Sequence, residues 1–427
     1  MNETLHSNRA LIVGVCIAVV VVSFYLLSRH NVGSTPPIKV GVLHSLTGTM
    51  AISEKSVADA TLLAFEEINQ SGGLLGRQVE PIVVDTNSSL VKFAEEAKRL
   101  IQEEHVSVIF GGWTSASRKV VLEVVEQFNH LLFYPVQYEG LEQSPNIIYT
   151  GAAPNQQIIP AVKWAFDHLG KSFFLVGSDY VFPRTANAII RDQVKALGGQ
   201  IVGEQYIPLG SRDIHSTVSK IVEAQPKVIL NTINGDSNTA FFQILRMAGV
   251  TPNQIPTVSF SLAENELTAM DSQSMVGDYA AWNYFQSIES PRNHNFVTHF
   301  QGKFGNHRVT DDPMEAAYFG VHLWAQAVRD AKTDEMSAVR HSILDQSFAA
   351  PGGIVYVDSE TRHTWKTVRV GKIRADGQFD IVWTSDHPIR PVPFPSYRSR
   401  AEWNDFLADL YHMWGNQWAV AATVHQE

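Results

Sequence analysis

Six short runs, almost continuous in valine, isoleucine, leucine and phenylalanine and separated by stretches with apolar residues at helical spacing, leave this chain few folds to choose from. The runs are IKVGVLHS (38–45), PIVVD (81–85), VSVIFGG (106–112), LLFYP (131–135), SFFLVGS (172–178) and KVILNTI (227–233). A continuous apolar run, unlike an alternating one, marks a strand buried on both faces. Between the runs the spacing predicts helices over 56–73, 91–104, 116–129, 184–199 and 213–224, the first closing in a double glycine suited to a helix C-terminus. The resulting βαβα order predicts an α/β fold of parallel sheets with helices on both faces. The strand units of 38–150 and 151–280 together exceed one open sheet of ordinary size, so two lobes are expected.

The two ends read differently. Residues 10–27, ALIVGVCIAVVVVSFYLL, lie between Arg9 and Arg29 and are just long enough to span a bilayer as a helix. No small-residue cleavage site follows, so residues 1–30 are expected to be an uncleaved membrane anchor, with 31–37 as a linker. Cys16, the only cysteine, falls in the apolar run, which excludes a disulfide in the remainder. At the other end, 396–427 forms a tail whose AEWNDFLADLYHMWGNQWAV (401–420) predicts an amphipathic helix with a stripe of Trp403, Phe406, Leu410, Tyr411 and Trp414.

Composition and motifs exclude several functions. A net charge of -10, with no long run of lysine and arginine, argues against nucleic acid. The chain carries no nucleophile elbow, zinc-protease motif, paired-cysteine motif, phosphate loop or dinucleotide fingerprint. GGLLGR (72–77) follows a helix and precedes a strand, the reverse of a phosphate cradle, and its histidines are dispersed away from metal-ligand spacing. No enzyme activity, metal or cofactor is expected.

What remains is a set of polar and aromatic residues placed where an open α/β sheet binds ligands, just beyond the carboxyl ends of its strands. They are Trp113, Thr114 and Ser115 after the third run, Tyr134, Gln137, Tyr138 and Glu139 after the fourth, Ser178 and Tyr180 after the fifth, and Asp236 and Ser237 after the sixth, with Glu264 further on. Taken singly, Ser115, Asp236 and Ser237 suit helix N-caps. Taken together, the hydroxyls, indole and carboxylates suit the walls and hydrogen-bonding points of a site for a small polar solute.

The strings GGWTSASRK (111–119), FYPVQYEGLEQSPNIIYTGAAPNQQIIPAV (133–162), GSDYVFPRTAN (177–187), NTINGDSN (231–238), AAWNYFQS (280–287) and DPMEAAY (312–318) resemble the urea-binding proteins of ATP-driven urea transporters and, more distantly, short-chain amide sensors. The resemblance implies a type I periplasmic binding protein fold of two Rossmann-like lobes joined by three crossovers. Lobe I would take 38–150 and 285–330, and lobe II 151–284 and 331–395. It further implies that Ser115, Tyr134 and Tyr180 face the ligand. The expected ligand is urea or a short-chain amide, and the expected partner an ABC transporter permease, or a signalling protein if the chain is a receptor. The expected location is the periplasm, on the cytoplasmic membrane.

Overall fold

The computed structural model describes residues 36–420. The expected anchor lies outside the described residues; among those described, no helix is long and apolar enough to cross a membrane.

Two parallel-rich sheets form the body. The first has five strands in the order β2-β1-β3-β4-β5, all parallel, from β1 (Ile38–His44), β2 (Val79–Asp85), β3 (Ile109–Gly111), β4 (Leu132–Tyr134) and β5 (Ile147–Tyr149). Strands β1, β4 and β5 are buried along almost their whole length, as parallel strands covered on both faces must be. Helices Ala51–Gln70, Leu90–Gln102 and Ser115–Gln127 connect these strands. Gly111 sits at φ +149°, where a Cβ would lie 2.0 Å from the Leu43 carbonyl oxygen, so only glycine lets β3 approach β1 at the mouth of the sheet.

The second sheet has seven strands in the order β15-β14-β10-β9-β8-β6-β7. Its parallel core is β6 (Ser172–Ser178), β7 (Gln200–Ile207), β8 (Val228–Thr232), β9 (Thr257–Ser259) and β10 (Tyr279–Trp282). Two late strands, β14 (Arg369–Ile373) and β15 (Phe379–Thr384), extend it antiparallel.

Between the two visits to this sheet, the chain returns to the first. Helix Asp312–Ala331 buries Ala316, Phe319, Val321, Leu323, Trp324 and Val328 against Val40, Val42 and Phe110. The same core also takes Val339, Ile343, Ala350, Val355 and Val357. Helix Met336–Ser342 and the small sheet of β11 (Ser347–Ala350), β12 (Gly353–Val357) and β13 (Thr364–Trp365) therefore side with the first lobe. This differs from the expected handover to lobe II at residue 331. The physical reason is that the apolar side chains of 339–357 are completed by the face of helix 312–331 that immediately precedes them. The chain rejoins the second sheet only at β14.

The tail forms the expected helix, Arg400–Met413, opened by a capping box of Ser399 and Glu402. Trp403 is fully buried against the second lobe beside Ala186 and Ile190 and donates its indole N–H to the Pro395 carbonyl at 2.8 Å.

Candidate functional site

Each sheet has a switch point where strand order reverses, β1/β3 in the first and β6/β8 in the second, and in open α/β sheets the ligand crevice lies at such points. Here the two switch points meet. The Trp113 indole N–H, after β3, donates to Asn234 Oδ1, after β8, at 3.1 Å, and the Asn234 amide N–H donates to Ser178 Oγ, at the end of β6, at 3.0 Å. Gln137 Nε2 donates to the Phe260 carbonyl at 2.8 Å and to Ser261 Oγ at 2.9 Å. Farther along the same seam, Ser53 donates to Glu266 at 2.6 Å, Ser56 to Asn265 at 2.8 Å, and Thr49 to Asp236. The lobes are closed on one another through polar contacts.

At the centre of the seam is a buried charge cluster. Helix 115–127 begins with Thr114 as its N-cap, the Thr114 hydroxyl accepting from the Ser117 amide, rather than with Ser115. One turn of spacing then puts Ser115, Arg118 and Lys119 on one face. Arg118 donates through Nη1 to Ser115 Oγ (2.9 Å), through Nη2 to Glu139 (2.9 Å) and through Nε to Glu142 (2.7 Å), while Lys119 Nζ donates to Glu142 at 3.1 Å. Ser115 Oγ–H in turn donates to Glu139. The guanidinium lies 5.0 Å from the ring centre of Tyr134 and 4.4 Å from that of Tyr138, within cation–π range of both.

Two cations thus face two carboxylates in a region closed to water. Burial would raise Glu142, yet Arg118 and Lys119 hold its carboxyl down at about 2. Burial raises the tyrosines: Tyr134, Tyr138, Tyr149 and Tyr180 all keep their protons far above neutral pH, and Tyr180 also feels Tyr134 and Glu139 beside it. Burial lowers His363 to about 4, so it is neutral. Its Nδ1–H donates to the Thr361 carbonyl at 2.8 Å, which leaves Nε2 to accept from the Tyr138 hydroxyl.

The structure brings Trp113, Thr114, Ser115, Tyr134, Tyr138, Glu139 and Tyr180 together around Arg118, with Gln137 and Ser178 at the inter-lobe contacts. It does not bring Glu264 there. That residue joins Glu266, Asp311 and Asp312; burial, with Glu266 and Asp312 nearby, pushes its carboxyl up to about 8, and its Oε1 accepts from the Gln286 amide at 2.7 Å. Asp236 is held by Thr49 at the seam, and Ser237 is fully buried with a hydroxyl that has no partner. A surface hollow of about 500 Å³ beside Lys55, Asp59 and Arg308 is lined by none of the strand-end residues.

Two glutamine amides share one carbonyl at the seam. The side-chain N–H groups of Gln137 and Gln157 both donate to the Phe260 carbonyl, which fixes the orientation of each amide. Their Oε1 atoms are buried and unpaired. An unpaired buried acceptor is costly until a donor meets it.

A model of the periplasmic binding protein domain matches residues 38–400. The chain belongs to the periplasmic binding protein family. Membership places it among the extracytoplasmic solute-binding proteins. Among curated relatives, the Leu/Ile/Val-binding protein homolog 6 of Brucella suis is 22% identical over 348 residues, 79% of this chain and 87% of that one. A segment of 124 residues is 31% identical to the limonene hydroxylase of Geobacillus stearothermophilus, but it covers 29% of this chain and only 23% of that protein. Among solved structures, a solute-binding protein of Rhodopseudomonas palustris in complex with 3,4-dihydroxybenzoic acid superposes with a TM-score of 0.75 at 21% identity, covering 83% of this chain and 99% of that one. The branched-chain amino acid binding protein of Streptococcus pneumoniae, in complex with isoleucine, gives 0.71 at 19%, covering 83% and 100%.

Proposed function

We propose that the chain captures urea or a comparably small neutral amide between its closing lobes and delivers it to the permease of an ATP-driven transporter. The observation that carries this reading is the neutralisation of Arg118. Its fork is occupied by Glu139, Glu142 and Ser115, and Lys119 is occupied by Glu142. A carboxylate solute, such as the benzoate or amino acid of the structural neighbours, would need an unoccupied cation or several free donors. Buried groups at the seam without a partner include the Gln137 and Gln157 carbonyls, and each Glu139 oxygen, bonded once, keeps a second lone pair.

Urea offers four N–H donors and one acceptor on a flat body. In this reading Glu139 and Gln137 accept from it, Ser115 turns its hydroxyl to the urea oxygen, and Trp113, Tyr134 and Tyr180 form the walls. Thr114, Tyr138 and Ser178 set the positions of those groups. Asp236, Ser237 and Glu264 act on closure rather than on the solute. Residues 10–27 serve as the anchor.

A thermal-denaturation panel with urea, formamide, acetamide, benzoate and leucine tests the proposal. A solute at about a hundred times its dissociation constant adds about 2.7 kcal/mol to stability. Urea or another amide at millimolar concentration is expected to raise the midpoint while benzoate and leucine leave it unchanged. The reverse pattern would overturn the assignment.

A further inference from the structure

The family match ends at residue 400, and the tail beyond it makes contacts that its helix alone does not need. Its root is fixed to the second lobe, where Arg398 holds Asp192 at 2.6 and 3.1 Å and Trp403 is buried. After the helix the chain turns back toward the seam. Ala419 pairs antiparallel with Tyr180, the Val181 N–H donates to the Trp418 carbonyl at 3.1 Å, and the Val420 N–H donates to the Asp179 carbonyl at 3.4 Å. The tail thus adds a short strand to the segment carrying Tyr180.

The same few residues also reach the first lobe. The Trp418 ring lies 4.4 Å beneath Lys119 Nζ and packs on Tyr411 at 4.6 Å. Together with Asn416 and Gln417 these rings border a hollow of about 490 Å³ whose other wall is Val91, Val120 and Val124 of the first lobe. Lys119 is the residue that, with Arg118, neutralises Glu142. One strap therefore touches Tyr180 on one lobe and Lys119 on the other, and hinge opening must pull it from one of them.

We propose that residues 414–420 form a strap that holds the lobes closed over the cleft, with Trp418 as a positioning residue for Lys119. The strap makes closure part of the protein's resting state and slows escape of the captured solute. It rests on the two-lobe closure, not on the identity of the solute.

The test uses the full chain with Cys16→Ser and spin labels at Lys98→Cys and Lys195→Cys, one on each lobe, and measures the inter-label distance without solute. The intact tail is expected to give one narrow distance. Trp418→Ala, and truncation after Gly415, are expected to shift the distribution to longer distances, Trp418→Phe to restore it, and Met413→Ala, at an exposed site on the tail helix, to leave it unchanged. Where a bound solute is detected, its dissociation is expected to quicken roughly tenfold in Trp418→Ala. Unchanged distances in both Trp418→Ala and the truncated chain would overturn the strap, whatever the solute proves to be.

Discussion

Replacing Arg118 with alanine is expected to cost about 3–5 kcal/mol of stability, because removing one member of a buried ion pair leaves its partners charged and without compensation. Arg118 is fully buried and bonds three acceptors: Ser115, Glu139 and Glu142. Lys119 alone remains to face two carboxylates, and of the two it reaches only Glu142. Arg118→Lys keeps the charge but not the fork, since an ammonium cannot span Glu139 and Glu142 in the plane a guanidinium does. Guanidinium unfolding is therefore expected to rank wild type above Arg118→Lys above Arg118→Ala, with solute binding lost in the last. An Arg118→Ala protein as stable as wild type would mean that the cluster is not closed to water.

The second large effect is on pH. Between the lobes and beneath the second sheet, burial pushes Glu264 to about 8 and Glu315 and Asp278 to about 7, and raises Glu266 and Asp311 as well. Their partners include Ser53, the Gln286 and Gly352 amides, Lys366, Arg369 and Arg246. A carboxyl raised in the folded state binds more protons folded than unfolded between its two pKa values, so stability falls as pH rises through that interval. His363 and His130, lowered by burial, act in the opposite sense, but only below about 6.5. Glu67 and Glu142, held near 2, matter only in acid.

The clean window is thus pH 6.5 to 8, where stability is expected to drop by several kcal/mol at about 1.4 kcal/mol per pKa unit for each such group. Glu264→Gln keeps a neutral side chain at all pH values and is expected to flatten the decline. Denaturant midpoints measured across this window check both statements; a flat profile in the wild type would show these carboxyls to be ionised and solvated.

The fold was legible because buried parallel strands announce themselves as unbroken apolar runs, and β1, β6 and β8 coincide with IKVGVLH, SFFLVGS and VILNT. The small sheet β11–β13 was not. Its strands carry both exposed and buried residues, with Ile354 65% exposed, and no apolar run marks them. Nor could the pattern say that 336–357 would return to the first lobe.

Within the site, the strand-end residues from Trp113 to Tyr180 were readable because α/β sheets bind at those ends. Arg118 and Lys119 were missed because charged residues on an amphipathic helix are by default solvated. The available signal was their spacing: Ser115, Arg118 and Lys119 share one helix face, and Glu139 and Glu142 carry the matching opposite charge on a segment full of aromatics. Glu264 was expected among the site residues, but its burial beside Glu266, Asp311 and Asp312 is a product of packing that no local pattern announces.

Calorimetric titration with urea reads out small-amide capture in a single experiment. Urea has four heavy atoms, and at a ceiling of about -1.5 kcal/mol per atom its binding energy is about -6 kcal/mol, a dissociation constant of tens of micromolar. Saturable binding in that range or weaker is expected for the wild type, and none for Ser115→Ala, Tyr134→Ala or Glu139→Gln. The absence of heat with urea, formamide and acetamide, together with saturable binding of leucine or benzoate, would contradict it.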